Sequence, residues 1–282
     1  MLELIDLVPG KEVLGQYTIT KLLRENGISS TFGLQGEEFP GGAELVLFPS
    51  YLFGSIEAAT KFSEELKPWI HFDCSSVRAL SRMEVQGDGL VLQIGEQVPG
   101  PSLREFLAEG ELLTSGEVQM LGLRLLDGLE ALHGAGLVHG DLKPEVVFGN
   151  GDPETAMIID GGVTPSLWST QHLGARTQLV GTPFYAPIEQ FSGDAPSAGS
   201  DLYNLATLLY EAATGQLPWN GSGFIEVFQS KLVRPTEGSK AARAVDLAPG
   251  LDNLLCSALD PQRRERPQDA SVFHELLTAA LS

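Results

Sequence analysis

Side chains able to move a proton or hold a cation gather in one stretch of this 282-residue chain. The run His139-Gly140-Asp141-Leu142-Lys143-Pro144-Glu145-Val146 holds an imidazole, two carboxylates and an ammonium. Shortly after it, Ile158-Ile159-Asp160-Gly161-Gly162 puts a further carboxylate beside two glycines. Taken singly, His139, Asp141 and Asp160 could be ordinary loop residues. The other histidines, His71, His133, His172 and His274, show no metal-ligand spacing. Only Cys74 and Cys256 are present. Two cysteines do not make a disulfide scaffold, so a reducing, cytoplasmic compartment is the expectation. A formal net charge of −19 argues against nucleic-acid partners, whose phosphates it would repel.

These residues need elements to position them. A composition that is 43% hydrophobic supports a packed core. No apolar run is long enough to span a bilayer, and the opening MLELIDLVPGKEV lacks the basic start of a secretory signal. Tyr17 to Leu23 and Thr31 to Gln35 read as strands around a turn at Asn26-Gly27. Leu45-Val46-Leu47-Phe48 fits a third strand, and Val77 to Val85 and Leu90 to Ile94 two more. Ser55 to Lys67 has helical spacing and stops at Pro68. Gly95 to Gly100 reads as a linker. Beyond it the period changes. Ser115 to Leu132 sets Val118, Leu121, Leu125, Leu129 and Leu132 on one stripe, with Ser115 as N-cap and Gly134 as stop. Ser200 to Thr214, Leu251 to Leu259 and Ser271 to Leu281 are further helices. A β-rich first part and an α-rich second part make an α+β arrangement of two lobes, bounded here as 1–95 and 96–282.

The motifs carry a resemblance. His139 to Val146 resembles the protein-kinase catalytic loop H-R-D-L-x-x-x-N. Asp160-Gly161-Gly162 resembles the metal-binding D-F-G turn. Gly181-Thr182-Pro183-Phe184-Tyr185 resembles the substrate-docking end of the activation segment. Glu189 matches the Glu of A-P-E, Ser200-Asp201-Leu202-Tyr203 the start of the central helix, and Arg266-Pro267 the late Arg that pairs with that Glu. The opening, from Pro9-Gly10 through Tyr17 to Leu23, is similar to that of bacterial eukaryotic-like serine/threonine kinases. The landmarks are in order over essentially the whole chain. The resemblance implies a bilobal protein-kinase-like fold with a β-rich N-lobe and an α-helical C-lobe.

It also implies a set of working parts, and several are altered. Aligned on Tyr17 and Leu22-Leu23, the three motif glycines that close over phosphates fall on Arg24, Asn26 and Ser29. Gly27 beside them reads as a hairpin turn residue. The strand-three lysine of V-A-I-K falls on Phe48, and no lysine lies between Lys21 and Lys61. Glu65, at the helix carboxylate position, is then a solvated surface group. Val146 replaces the metal-binding Asn, leaving Asp160 as a single candidate for metal and cofactor. Gly161 replaces the D-F-G Phe. Gly140 replaces the Arg that receives an activation-loop phosphate. Asp141, at the general-base position, and Lys143, which approaches the transferred phosphate, are kept. Two readings of that retention stay open: chemistry, or hydrogen bonds to the central helix through Asp201.

A triphosphate needs local cations, and this acidic chain offers few. The expectation is therefore a pseudokinase: a regulatory or scaffolding module for a protein partner, with Asp141 and Lys143 vestigial and no cofactor. One alternative is an atypical serine/threonine kinase using ATP and Mg²⁺, with Lys21 standing in for the lost lysine as in with-no-lysine kinases. Another is a nucleotide-binding switch without turnover, using Asp160 and the linker near Glu96.

Overall fold

The computed structural model describes residues 7–149, 152–170, 183–221, 223–235 and 247–281. The chain divides into two compact units. The first comprises 1–74, 78–98 and a short piece at 169–172, and the second 75–77, 99–168 and 173–282.

Among the described residues the N-terminal unit is a six-stranded antiparallel sheet with helix α1 (Ile56–Leu66). Its strands are β1 (Glu12–Val13), β2 (Tyr17–Glu25), β3 (Ser30–Gly36), β4 (Phe39–Phe48), β5 (Arg82–Val85) and β6 (Val91–Glu96), in the order β1-β2-β3-β4-β6-β5. The Asn26 carboxamide accepts from the backbone N–H groups of Ile28 (2.9 Å) and Ser29 (2.8 Å), which closes the β2–β3 turn. Six consecutive residues of β4, from Ala43 to Phe48, are buried. Both faces of this strand are therefore covered, and five of these six residues are apolar, Glu44 being the exception, where alternation would leave one face wet. Ala43, Leu45 and Leu47 join Tyr17, Phe32, Leu34, Leu92 and Ile94 in one cluster. Phe48 turns the other way, toward helix α1. Ser55, expected as the first helical residue, instead caps α1 through its side chain.

The C-terminal unit is helical. It contains α2 (Leu103–Ala108), α3 (Ser115–Gly134), α5 (Ile188–Phe191), α6 (Ala198–Thr214), α7 (Phe224–Lys231), α8 (Pro249–Ala258) and α9 (Ala270–Ala279), with a short hairpin of β7 (Val147–Phe148) and β8 (Met157–Ile158). Helix α4 (Val163–Thr170) begins in this unit. Helix α3 packs against α6 and α9. Among the described residues no helix is long and apolar enough to cross a membrane.

Several local expectations are corrected. The strand expected over Val77 to Val85 is regular only from Arg82, because Val77 instead bridges Ile158 and Leu80 bridges Ile70. The α3 cap is Thr114, not Ser115. Thr114 and Glu117 form a capping box, while the Ser115 hydroxyl accepts from the backbone of Ala248 (3.0 Å). Helices α2, α4 and α7 were not foreseen. Each is eight residues or shorter, too short for periodicity to stand out. Gly181, Thr182 and His172 lie outside the described residues.

Candidate functional site

The loop after α3 is held by one buried carboxylate. Asp201, at the start of α6, accepts from the backbone N–H of His139 (2.9 Å) and of Gly140 (2.8 Å), and contacts His133 Nε2 (2.9 Å). These bonds are the ones the motif implied. His139 Nε2 lies 2.9 Å from the carbonyl oxygen of Ile159, which can only accept. That nitrogen therefore carries the proton, and Nδ1 is free to accept from the N–H of Asp141 (3.3 Å). Further backbone bonds, Ile159 to Val146 (2.9 Å) and Gly162 to His139 (3.1 Å), tie the loop to the segment carrying Asp160. The chain thereby fixes Asp141 through main-chain groups on either side of it.

Asp141 and Lys143 form an ion pair, each about one-fifth exposed. The arrangement offers a carboxylate able to accept a proton, with an ammonium at hand to neutralise an anion. Asp160 adopts a left-handed backbone, φ 59°, and is half-buried. Val146 is buried and its side chain carries no oxygen, so that side chain supplies nothing to a cation. Among the described residues no group of three or more His, Cys, Asp or Glu could hold a metal. A divalent ion held by Asp160 and a second side chain at position 146 does not fit this chain.

Gly140 has a physical reason. Its φ is +87°, and a Cβ there would lie 2.4 Å from Cδ of Pro165 in α4. No side chain fits, and the arginine of the related motif is excluded by the helix that follows the Asp160 turn.

The N-terminal unit holds the other altered parts. Phe48, expected at the lysine position, is buried against Phe62 of α1, which also meets Phe53. Glu65 is not the solvated group expected. Its carboxylate accepts from the Ser169 hydroxyl (2.7 Å) and lies 3.7 Å from the Lys61 ammonium. Lys21 is exposed on β2. Glu96 ends β6, and its carbonyl accepts from Arg78 Nε (2.9 Å). The sequence reading missed Glu44, buried in the middle of β4 with Arg24 and Arg78 around it. A lone carboxylate inside an apolar strand run was the signal.

Braces surround the docking segment of the C-terminal unit. Glu189 and Arg266 form a two-pronged pair (2.7 and 3.0 Å), as the motif implied. Arg104 bridges Glu145 (2.8 Å) and Glu211 (2.8 Å), and its guanidinium also meets the Tyr185 hydroxyl. Burial and the Glu211 charge push the Tyr185 phenol far above its ordinary range. Lys231 is buried under the Trp219 and Tyr203 rings and donates to the carbonyls of Phe184 (2.8 Å) and Ala186 (2.7 Å). Neither Arg104 nor Lys231 stood out in the sequence, because their carboxylate and carbonyl acceptors lie mostly tens of residues away.

A β-sheet unit with helix α1, followed by a helical unit carrying an Asp141–Lys143 loop tied to Asp201, defines the protein-kinase architecture. The protein kinase domain model matches residues 55–278, and the chain belongs to that family. It is 26% identical over 280 residues to the serine/threonine-protein kinase pkn3 of Myxococcus xanthus, covering 96% of this chain and 51% of that protein. It is 31% identical over 218 residues to the serine/threonine-protein kinase PkaB of Streptomyces coelicolor, covering 75% of this chain and 51% of that one. The chain thus spans about half the length of these curated relatives. The Mycobacterium tuberculosis PknI kinase domain shares the fold at a TM-score of 0.73 and 19% identity, covering 99% of this chain and 100% of that one. The domain is therefore of the bacterial serine/threonine-kinase type. The family in general uses ATP and Mg²⁺ and acts on proteins.

Proposed function

We propose that this chain is a kinase-family domain with impaired phosphoryl transfer, serving as a regulatory or scaffolding module for a protein partner. One observation carries the reading: Phe48 fills the lysine position with a ring packed on Phe62, so no ammonium is available there to hold a phosphate. Phosphoryl transfer depends on positioning and charge neutralisation. Losing one preorganised charge contact costs about 3–4 kcal/mol in a transition state. Buried Val146, in place of an oxygen ligand, removes a second such interaction. Such losses do not add simply, yet together they amount to several decades in rate.

The retained Asp141–Lys143 pair, with relatives named as serine/threonine kinases, favours a second reading as a slow atypical kinase. Purified protein mixed with labelled ATP, Mg²⁺ or Mn²⁺ and generic substrate proteins separates the two. Incorporation above background that Asp141→Ala abolishes establishes the kinase. Incorporation at background in both proteins supports the impaired domain. If transfer is found, a Lys21→Ala variant that keeps it removes Lys21 as the substitute cation.

A further inference from the structure

The buried charges of the N-terminal unit converge on two main-chain groups of the linker, at Glu96 and Val98. Glu44, only 1% exposed, lies on β4 with Gly33 of β3 and Gly95 of β6 as its register neighbours. Its carboxylate takes Arg24 Nη1 (3.2 Å) and the backbone N–H of Val98 (3.3 Å), and lies 3.4 Å from Arg78 Nη1. Arg78, itself 5% exposed, donates from Nε to the carbonyl of Glu96 (2.9 Å). Glycine at position 95 is what admits this guanidinium. A Cβ there would stand 2.9 Å from Arg78 Nη2 and 3.1 Å from the carbonyl oxygen of Ala79.

The consequence concerns the linker. The carbonyl of Glu96 and the N–H of Val98 are two residues apart on one strand of chain and form an acceptor–donor pair. The adenine edge, an amino group beside a ring nitrogen, is the complement of such a pair. Here both groups are already engaged by side chains of the same unit. Burying a carboxylate and a guanidinium together costs desolvation that a packed apolar pair would avoid. This chain nevertheless spends two charged residues and a glycine on those two main-chain groups.

We infer that the Glu44–Arg78 pair is an intrachain occupant of the linker edge and excludes a purine base from it. The inference deepens the impaired-transfer reading and rests on it. Occupation of the linker blocks base recognition by a route separate from the missing ammonium at position 48 and the missing oxygen ligand at position 146.

Titration calorimetry with adenosine, a base with no phosphates, tests it. The proteins are the wild type, Arg78→Ala, and Glu44→Ala combined with Arg78→Ala. In the double variant both linker groups are released, and a gain in adenosine affinity of at least about tenfold over wild type is expected. Arg78→Ala keeps the Glu44–Arg24 pair and frees the Glu96 carbonyl alone, so a smaller gain, about threefold or more, is expected. Equal affinity of wild type and folded double variant overturns the inference. If the double variant gives no cooperative melt, Arg78→Ala decides: a gain supports the occupant, and no gain overturns it. The labelled-ATP assay on wild type keeps the two readings apart. Wild type that binds adenosine as tightly as the variants but transfers no phosphate overturns the occupant alone. Wild type that transfers phosphate overturns both.

Discussion

Phe48 on β4 and Phe62 on α1 meet edge to face, with ring centroids 5.1 Å apart and planes at 65°. The pair ties helix to sheet with carbon. Phe48→Ala is expected to destabilise the domain by about 3–5 kcal/mol, the usual cost of emptying a buried aromatic site. Phe48→Lys should cost a similar amount, because it also strands an ammonium in an apolar pocket. It should not produce phosphoryl transfer, since Val146 and the engaged linker remain. Urea denaturation and the labelled-ATP assay check the two parts. A Phe48→Lys protein that is both stable and active would refute the account.

Arg266 is buried and holds more than Glu189. It also donates to the carbonyls of Asp260 (2.6 Å) and Pro261 (3.2 Å), and lies 4.7 Å over the Tyr203 ring. Arg266→Met leaves the Glu189 carboxylate without its main cation and should cost about 3–5 kcal/mol. Arg266→Lys should recover little, because an ammonium cannot reproduce the planar fork. Denaturant midpoints of the three proteins decide this.

Gly140 invites the idea that restoring the family arginine would restore control. The close approach of Pro165 predicts the opposite. Even Gly140→Ala should lose about 2 kcal/mol or more, from the +87° φ and the collision together. A thermal melt showing Gly140→Ala or Gly140→Arg as stable as wild type would contradict the geometry.

Lys231 gives a pH signature. Burial, aided by the Arg266 charge, pushes its ammonium well below the ordinary lysine value of 10.5. Between that lowered value and 10.5, the unfolded chain keeps a proton that the folded chain has released. The Lys231 contribution to stability therefore rises with pH through that window and is lost as pH falls through it. The stability of wild type minus that of Lys231→Met should increase from about pH 8 to about pH 10 in urea titrations. A flat or falling difference would show that Lys231 stays charged in the folded state.

The run from His139 to Asp160 announced itself because its residue types and their spacing match a known motif. Asp201 was legible through the same resemblance, although its bonds reach main-chain groups 62 and 61 positions away. Helix α1 and the β2–β3 hairpin were legible from Ser55, Pro68 and Asn26-Gly27, which act on their own neighbours. Helix α4 was not, because eight residues are too few for a period to stand out.

What the amino-acid sequence determined alone was the order of elements and the absence of particular side chains: no lysine at 48, no oxygen ligand at 146, no arginine at 140. These are statements about residue identity, and position in a motif suffices to make them. The tertiary structure decided which distant side chains and main-chain groups meet. Val98 and Glu44 are 54 positions apart, and Arg104 and Glu211 are 107 apart. Periodicity and capping act over three or four residues, so only folding brings such pairs within hydrogen-bonding distance.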